Sequence, residues 1–151
     1  MQSFITNLTN RASTSVNGFD YNSFCEAWEK PLAAGDGLYE LCGDTDDTVD
    51  IDAYFETPII DLGSQRDKRL RFVYLGFESD GNLEVSVSVD GGSYRAYSVI
   101  PKKTGRQRIR IPIGRNGHGR YWQLKINNVD GSFFAIDHMS VLINERSEGI
   151  V

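Results

Sequence analysis

Residues 70 to 89, LRFVYLGFESDGNLEVSVSV, restrict the fold more than any other stretch. Leu83, Val85, Val87 and Val89 alternate with Glu84, Ser86, Ser88 and Asp90. A period of two places the apolar side chains on one face of a strand and the polar ones on the other. Arg69 to Phe77 is apolar at almost every position, as expected of a central strand covered on both faces. Between the two runs lies Ser79-Asp80-Gly81-Asn82, whose Asp-Gly predicts a tight turn and a hairpin.

Other segments repeat this grammar. Leu38 to Cys42 reads as a short strand. Ile51, Ala53 and Phe55 alternate with Asp52, Tyr54 and Glu56, and Pro58 then marks an edge or a bend. Asp90-Gly91-Gly92 predicts a second hairpin, and Asp130-Gly131 a third. Ile109, Ile111 and Ile113 alternate with polar or proline positions, as do Trp122, Leu124 and Ile126. Phe133 to Ile143 reads as the last strand, with a register break near Asp137-His138. There is no βαβ alternation and no internal repeat. The pattern predicts an all-β chain: an antiparallel β-sandwich or jelly roll of about eight strands, with at most one short helix. Its expected core comprises Leu83, Val85, Val87, Ile109, Ile111, Trp122, Leu124, Ile126, Phe134 and Ile136.

The 151 residues fit one such domain, expected over 19–147, with a polar N-terminal arm over 1–18 and a short tail over 148–151. The arm is rich in Asn, Ser and Thr and cannot bury enough surface to offset its ordering entropy. Phe4, Ile5 and Leu8 are spaced for one helical face and are expected to dock on a partner. In FDYNSFCEAWEK, Ser23 and Glu26 form a capping-box pattern, and Phe24 and Trp28 stand four apart. A short helix or aromatic hook ending at Pro31 is expected there; the alternative is that Phe19, Tyr21, Phe24 and Trp28 simply cover one end of the core.

Signatures of chemistry are sparse. No apolar run approaches the roughly 20 residues needed to span a bilayer, and no membrane partner is expected. The first residues lack the basic start and apolar centre of a secretory signal, so synthesis in the cytoplasm is expected. Cys25 and Cys42 fit no metal-ligand spacing and are expected as reduced thiols. His118 and His138 have no local nucleophile motif. GRNGHGR (114–120) precedes a strand and not a helix, unlike a dinucleotide-binding turn. No enzymatic activity and no cofactor are expected. The acidic loop holds weak calcium candidates in Asp44, Asp46, Asp50 and Asp52, with Asp47 beside them. It lacks the central Gly and the final Glu of the helix-loop-helix calcium pattern.

Charge is segregated along the chain. Between Gly91 and Val129 there are nine basic residues and no acidic one; between Glu26 and Glu56 there are ten acidic residues and one Lys. The whole chain carries −5, which argues against nucleic acid as a direct partner. Two arrangements fit. The segments neutralise each other within one sandwich, or the acidic side of one copy meets the basic side of the next. The second predicts a homo-oligomer whose interface includes Arg106, Arg108, Arg110 and Arg115 against Asp44, Asp46, Asp47 and Asp50.

A wider pattern joins these pieces. Asp46, Asp47, Glu56, Thr57, Asp61, Leu62, Gly63, Lys68, Arg69 and the run Gly119-Arg120-Tyr121-Trp122-Gln123 follow one another in order. In this the chain resembles a β-sandwich domain of tailed-bacteriophage virion proteins, over roughly residues 20 to 145. YNSFCEAWEK is similar to a tryptophan-rich segment that precedes that domain. Thr48 and Pro58 stand where Gly is more usual. The resemblance implies a structural protein of the tail, the head–tail connection or the capsid surface, localised to the virion and bound to other virion proteins. It transfers no catalytic residue. The other class kept open is a carbohydrate-binding β-sandwich serving host or glycan attachment, with Tyr94, Tyr97, Tyr121 and Trp122 as candidate platforms.

Overall fold

The computed structural model describes residues 2–145 apart from 44, 47 and 65. The fold is all-β and antiparallel, with one 3₁₀ turn over Gly114–Gly117. The chain divides into two compact units, Met1–Gly43 and Asp44–Val151. The division expected after residue 18 therefore falls after residue 43. The reason is that residues 19–43 pair among themselves, and the tail expected over 148–151 lies outside the described residues.

The first unit consists of β1 (Gln2–Thr6), β2 (Ser13–Asn17), β3 (Ser23–Ala27), β4 (Lys30–Ala34) and β5 (Leu38–Glu40). β1 and β2 form a hairpin, not a helical arm. Its loop is set by Asn7, whose side-chain carbonyl accepts from the Thr9 amide at 2.9 Å, a local bond that asparagine offers in turns. β3, β4 and β5 form a three-stranded sheet. The helix expected around Ser23 to Lys30 is thus a β-hairpin, turning at Trp28 and Glu29 with φ of 53° and 62°. Both central residues at positive φ make the turn whose twist suits a hairpin, at a steric cost that neither side chain relieves. Phe19, Tyr21, Phe24 and Tyr39 cluster, with Phe19 and Phe24 stacked at 5.6 Å and Tyr21 edge-on to Phe19 at 4.9 Å.

The second unit begins with a small ribbon, β6 (Thr45–Asp46) and β7 (Val49–Asp50), and continues with β8 (Tyr54–Glu56), β9 (Lys68–Ser79), β10 (Leu83–Val89), β11 (Arg95–Val99), β12 (Gln107–Pro112), β13 (His118–Gly119), β14 (Trp122–Asn128) and β15 (Phe134–Glu145). The strands therefore outnumber the expected eight. One sheet has the order β11-β10-β14-β8. In the other, β9 is central, with β15 along one edge and β12 and β13 along the other. Their inner faces share one core, contributed by Leu70, Val73, Leu75 and Phe77 from β9, Leu83, Val85 and Val87 from β10, and Trp122, Leu124 and Ile126 from β14. Trp122 is 1% exposed, so the period-two reading of β10 and β14 holds. Ile109, Phe134 and Ile136 pack against this core while half-buried.

Asp90-Gly91 does close a hairpin, β10 with β11. The other two expected hairpins are arches. β9 and β10 lie in different sheets, as do β14 and β15. Each pair faces across the core through side chains and does not share a hydrogen-bond ladder. The two arches instead bond to each other: the Asp80 amide to the Phe133 carbonyl, and the Val129 amide to the Asn82 carbonyl. The Ser79 hydroxyl, buried between them, lies 2.8 Å from both the Gly81 and Phe133 carbonyls. β9 and β15 slip register at two points, between Ile136 and His138 and between Leu142 and Ile143. The first bulge leaves Asp137 over Gly76, where a Cβ would collide with its carboxylate.

Candidate functional site

The outer face of the β11-β10-β14-β8 sheet carries a groove of about 300 Å³. Strand alternation builds it. The inner set Val85, Leu124 and Ile126 is buried in the core, so Glu84 and Ser86 of β10 and Lys125 and Asn127 of β14 point outward. Lys125 stands opposite Glu56 on β8 and opposite Ser86 on β10. Tyr54 and Asp52 close one side, and Tyr94, just before β11, closes the other.

Tyr94 reaches across β10 and β14 to donate its hydroxyl to Glu56 Oε1 at 2.6 Å. Partial burial, and then the bond to the Glu56 carboxylate, push its ionisation up to about 12. The phenol is therefore a fixed neutral donor, and its ring is held across the sheet. The Lys125 ammonium lies 4.3 Å from the centre of the Tyr54 ring. Tyr54 is 59% and Tyr94 41% exposed. The groove thus combines two exposed aromatic rings, carboxylates, an amide and one ammonium.

Of the residues that carry the sequence resemblance, Thr57, Asp61, Lys68, Gly119, Arg120 and Trp122 lie on or beside a strap whose described residues are 57–64 and 66–67, while Glu56 borders the groove and Asp46 is on the β6–β7 ribbon. Thr57 Oγ1 accepts from the Leu124 amide at 3.0 Å, and the Thr57 amide donates to the Leu124 carbonyl at 2.9 Å. Ile60 exchanges backbone bonds with Trp122. Asp61 accepts from the Gly63 amide. Lys68 is fully buried, donates to the Ser64 carbonyl and lies 5.4 Å from the Trp122 ring. Arg120 pairs with Asp67 at 3.0 Å, which holds the guanidinium pKa up. Gly119 is required because a Cβ there would collide with Val89 and Asp90. These residues fasten the strap to β13 and β14; none is arranged for acid–base work.

The expected basic and acidic interface residues lie on separate elements of the second unit. Arg108 and Arg110 project from the outer face of β12 and lie 5.1 Å and 4.8 Å from the ring centres of Tyr74 and Phe72. Arg106 is exposed in the loop before β12, and Arg115 is exposed in the 3₁₀ turn. Lys125 belongs to the opposite sheet. Asp46 and Asp50 are exposed on the β6–β7 ribbon, and Asp52 lines the groove. Asp44 and Asp47 lie outside the described residues. Among the described residues no three His, Cys, Asp or Glu side chains are grouped to hold a metal ion.

Phe4, Ile5 and Leu8 are exposed on the β1–β2 hairpin, with Leu8 at 91%. Cys25 and Cys42 are free, exposed thiols. Lys30 bonds Glu40 at 2.8 Å and lowers its pKa; Glu40 in turn raises that of the Cys42 thiol. Of the aromatic platforms expected from sequence, Tyr94 lines the groove, Tyr97 donates to the Ile113 carbonyl at 3.2 Å, Tyr121 lies beside the strap and Trp122 is core. Tyr54 was missed, although its outward position follows from the alternation of 51–56.

No protein-family model, no curated protein and no solved structure matches the chain.

Proposed function

We propose that this chain is a non-enzymatic structural subunit of a bacteriophage particle, in the tail, the head–tail connection or the capsid surface. The observation that carries the reading is the surface of the first unit. Among its described residues Ala33 is the one buried hydrophobic side chain, while Phe4, Leu8, Phe24, Trp28 and Leu38 are between 57% and 91% exposed. Trp28 stands at 86% exposure on a turn with positive φ. An isolated two-stranded hairpin such as β1–β2 is marginal in water. Such a unit gains stability by covering its apolar side chains against a partner. A rigidly displayed tryptophan is the residue type that dominates interfaces.

The partner proposed is another copy of the chain. Residues 1–43 hold five acidic and two basic side chains, a net charge of −3. The outer face of β12 and β9 offers Arg108 and Arg110 above Tyr74 and Phe72, a combination enriched in protein interfaces. Acidic unit against arginine face is a heterologous contact, which closes into a ring when its rotation permits. The phage resemblance supplies the setting, and the sandwich fold agrees with it.

Molar mass in solution by light scattering tests this. An oligomer is expected at low salt, weakening as ionic strength rises. Trp28→Ser, and separately Arg106, Arg108 and Arg110 all to Glu, should give folded monomers. A monomer at low salt and high concentration, or an unaltered oligomer in both variants, refutes the contact.

A further inference from the structure

We infer that the groove on the β11-β10-β14-β8 sheet is a binding site for a neutral saccharide. Sugars present two chemistries at once: C–H faces that pack on aromatic rings, and hydroxyl groups that donate to carboxylates and accept from amides. The groove offers both within one span of sheet. Tyr94 and Tyr54 supply exposed rings at its two sides. Glu84 and Asp52 supply acceptors, and Lys125 and Asn127 supply donors. Its volume of about 300 Å³ lies at the small end of ligand pockets, suited to one or two sugar rings.

Two features favour a sugar over a charged or wholly apolar ligand. Asp52, Glu84 and the neighbouring Glu56 outnumber the single ammonium of Lys125, so an anionic ligand meets repulsion. The floor and walls are polar between the rings, so an apolar ligand would strand Ser86, Glu84 and Asn127. The site is also preformed. The Tyr94 hydroxyl is held by Glu56 at 2.6 Å, and Tyr54 carries Lys125 on one face. Binding therefore orders no additional aromatic side chain, which lowers its entropy cost. β10 and β14, which carry Glu84, Ser86, Lys125 and Asn127, are well-buried strands of the sandwich, and every lining residue belongs to the second unit.

Saturation-transfer NMR on the full chain tests this, with three oligosaccharide sets as probes: neutral hexose oligomers, N-acetylated amino-sugar oligomers, and uronic or sialic acid oligomers. Transfer to one of the two neutral sets is expected, with affinity falling at least tenfold in Tyr54→Ala and in Glu84→Gln. Asn144→Ala, exposed on β15 of the other sheet, should bind as the parent does. All variants replace surface side chains, and near-parental unfolding curves would confirm their folding. No transfer from any set at about 10 mM, a limit typical of weak binding, overturns the inference. So does binding restricted to the acidic set, or binding unchanged in both groove variants. Because neither Tyr54 nor Glu84 belongs to the proposed subunit contact, molar mass in the same samples separates failure of the groove from failure of the assembly.

Discussion

The two units are made of the same material and are stabilised in opposite ways. The sandwich hides Trp122 at 1% exposure; the first unit displays Trp28 at 86%. Both contain antiparallel strands. What differs is whether a second sheet lies across the apolar face. In the sandwich each chain crossing between sheets places two apolar faces together. In the first unit each strand pairs with its chain neighbour, so backbone bonds are satisfied while side chains stay in water. Hydrogen-bonded pairing alone therefore yields strands, and layering yields a core.

The largest effect that sharpens this contrast is the exchange of the two tryptophans. Trp122→Ala should destabilise the sandwich by about 3–5 kcal/mol, whereas Trp28→Ala should change its stability by less than about 0.5 kcal/mol. Chemical unfolding curves on both variants check it, and similar losses would erase the distinction. Asn128 comes next. It is 7% exposed, accepts from the Ala53 amide and donates to the Ile51 and Ser132 carbonyls at 2.8, 2.8 and 3.2 Å. Asn128→Ala leaves those groups short of partners and should cost about 1–3 kcal/mol in the same assay.

A smaller, opposite effect is expected in the first unit. Glu29 holds φ at 62°, so Glu29→Gly should stabilise the β3–β4 hairpin by about 0.5–1 kcal/mol. Slower amide exchange at Phe24 and Cys25 in the verified monomer would show it; unchanged exchange would mean that the turn is not what limits this unit. The smallest effect is read by pH. The Tyr94 phenol titrates at about 12 when folded, against an ordinary value of 10.0. The stability it contributes is full below pH 10 and is lost as pH rises through about 12. Ultraviolet titration should show a late-ionising tyrosine signal that is lost in Tyr94→Phe.

The legible part of the fold was the part encoded by alternation. Leu83, Val85, Val87, Trp122, Leu124 and Ile126 were placed correctly because one face of each strand is apolar and the other polar. The arches were not legible. Asp80-Gly81 and Asp130-Gly131 specify a tight reversal, and a reversal is shared by a hairpin and an arch. The difference lies in which distant strand supplies the ladder: β14 for β10, and β15 for β9. The first unit was misread because spacings of three and four among Phe4, Ile5 and Leu8 suit a helix, while Asn7 and Asn10 fix a turn. At the groove, Tyr94 was singled out and Tyr54 was not. Only the register β14–β8 brings Tyr54 beside Lys125, and charge counts along the chain do not contain that register.

The arches also set a timetable. β9 takes its longest ladder from β15, and Lys68 pairs with Glu145. Sheets closed by such distant partners form in about milliseconds to seconds, whereas hairpins form in about 1–10 μs. As the chain leaves the ribosome, β1 to β5 can complete their pairing early. β9 must wait for β15 before its second backbone edge is paired, since β12 and β13 cover only the other edge. A chain stopped before Phe134 would expose one whole side of β9, an open ladder for any other nascent copy. Pairing of β15 therefore closes the open side of β9 and removes the edge along which nascent copies could join.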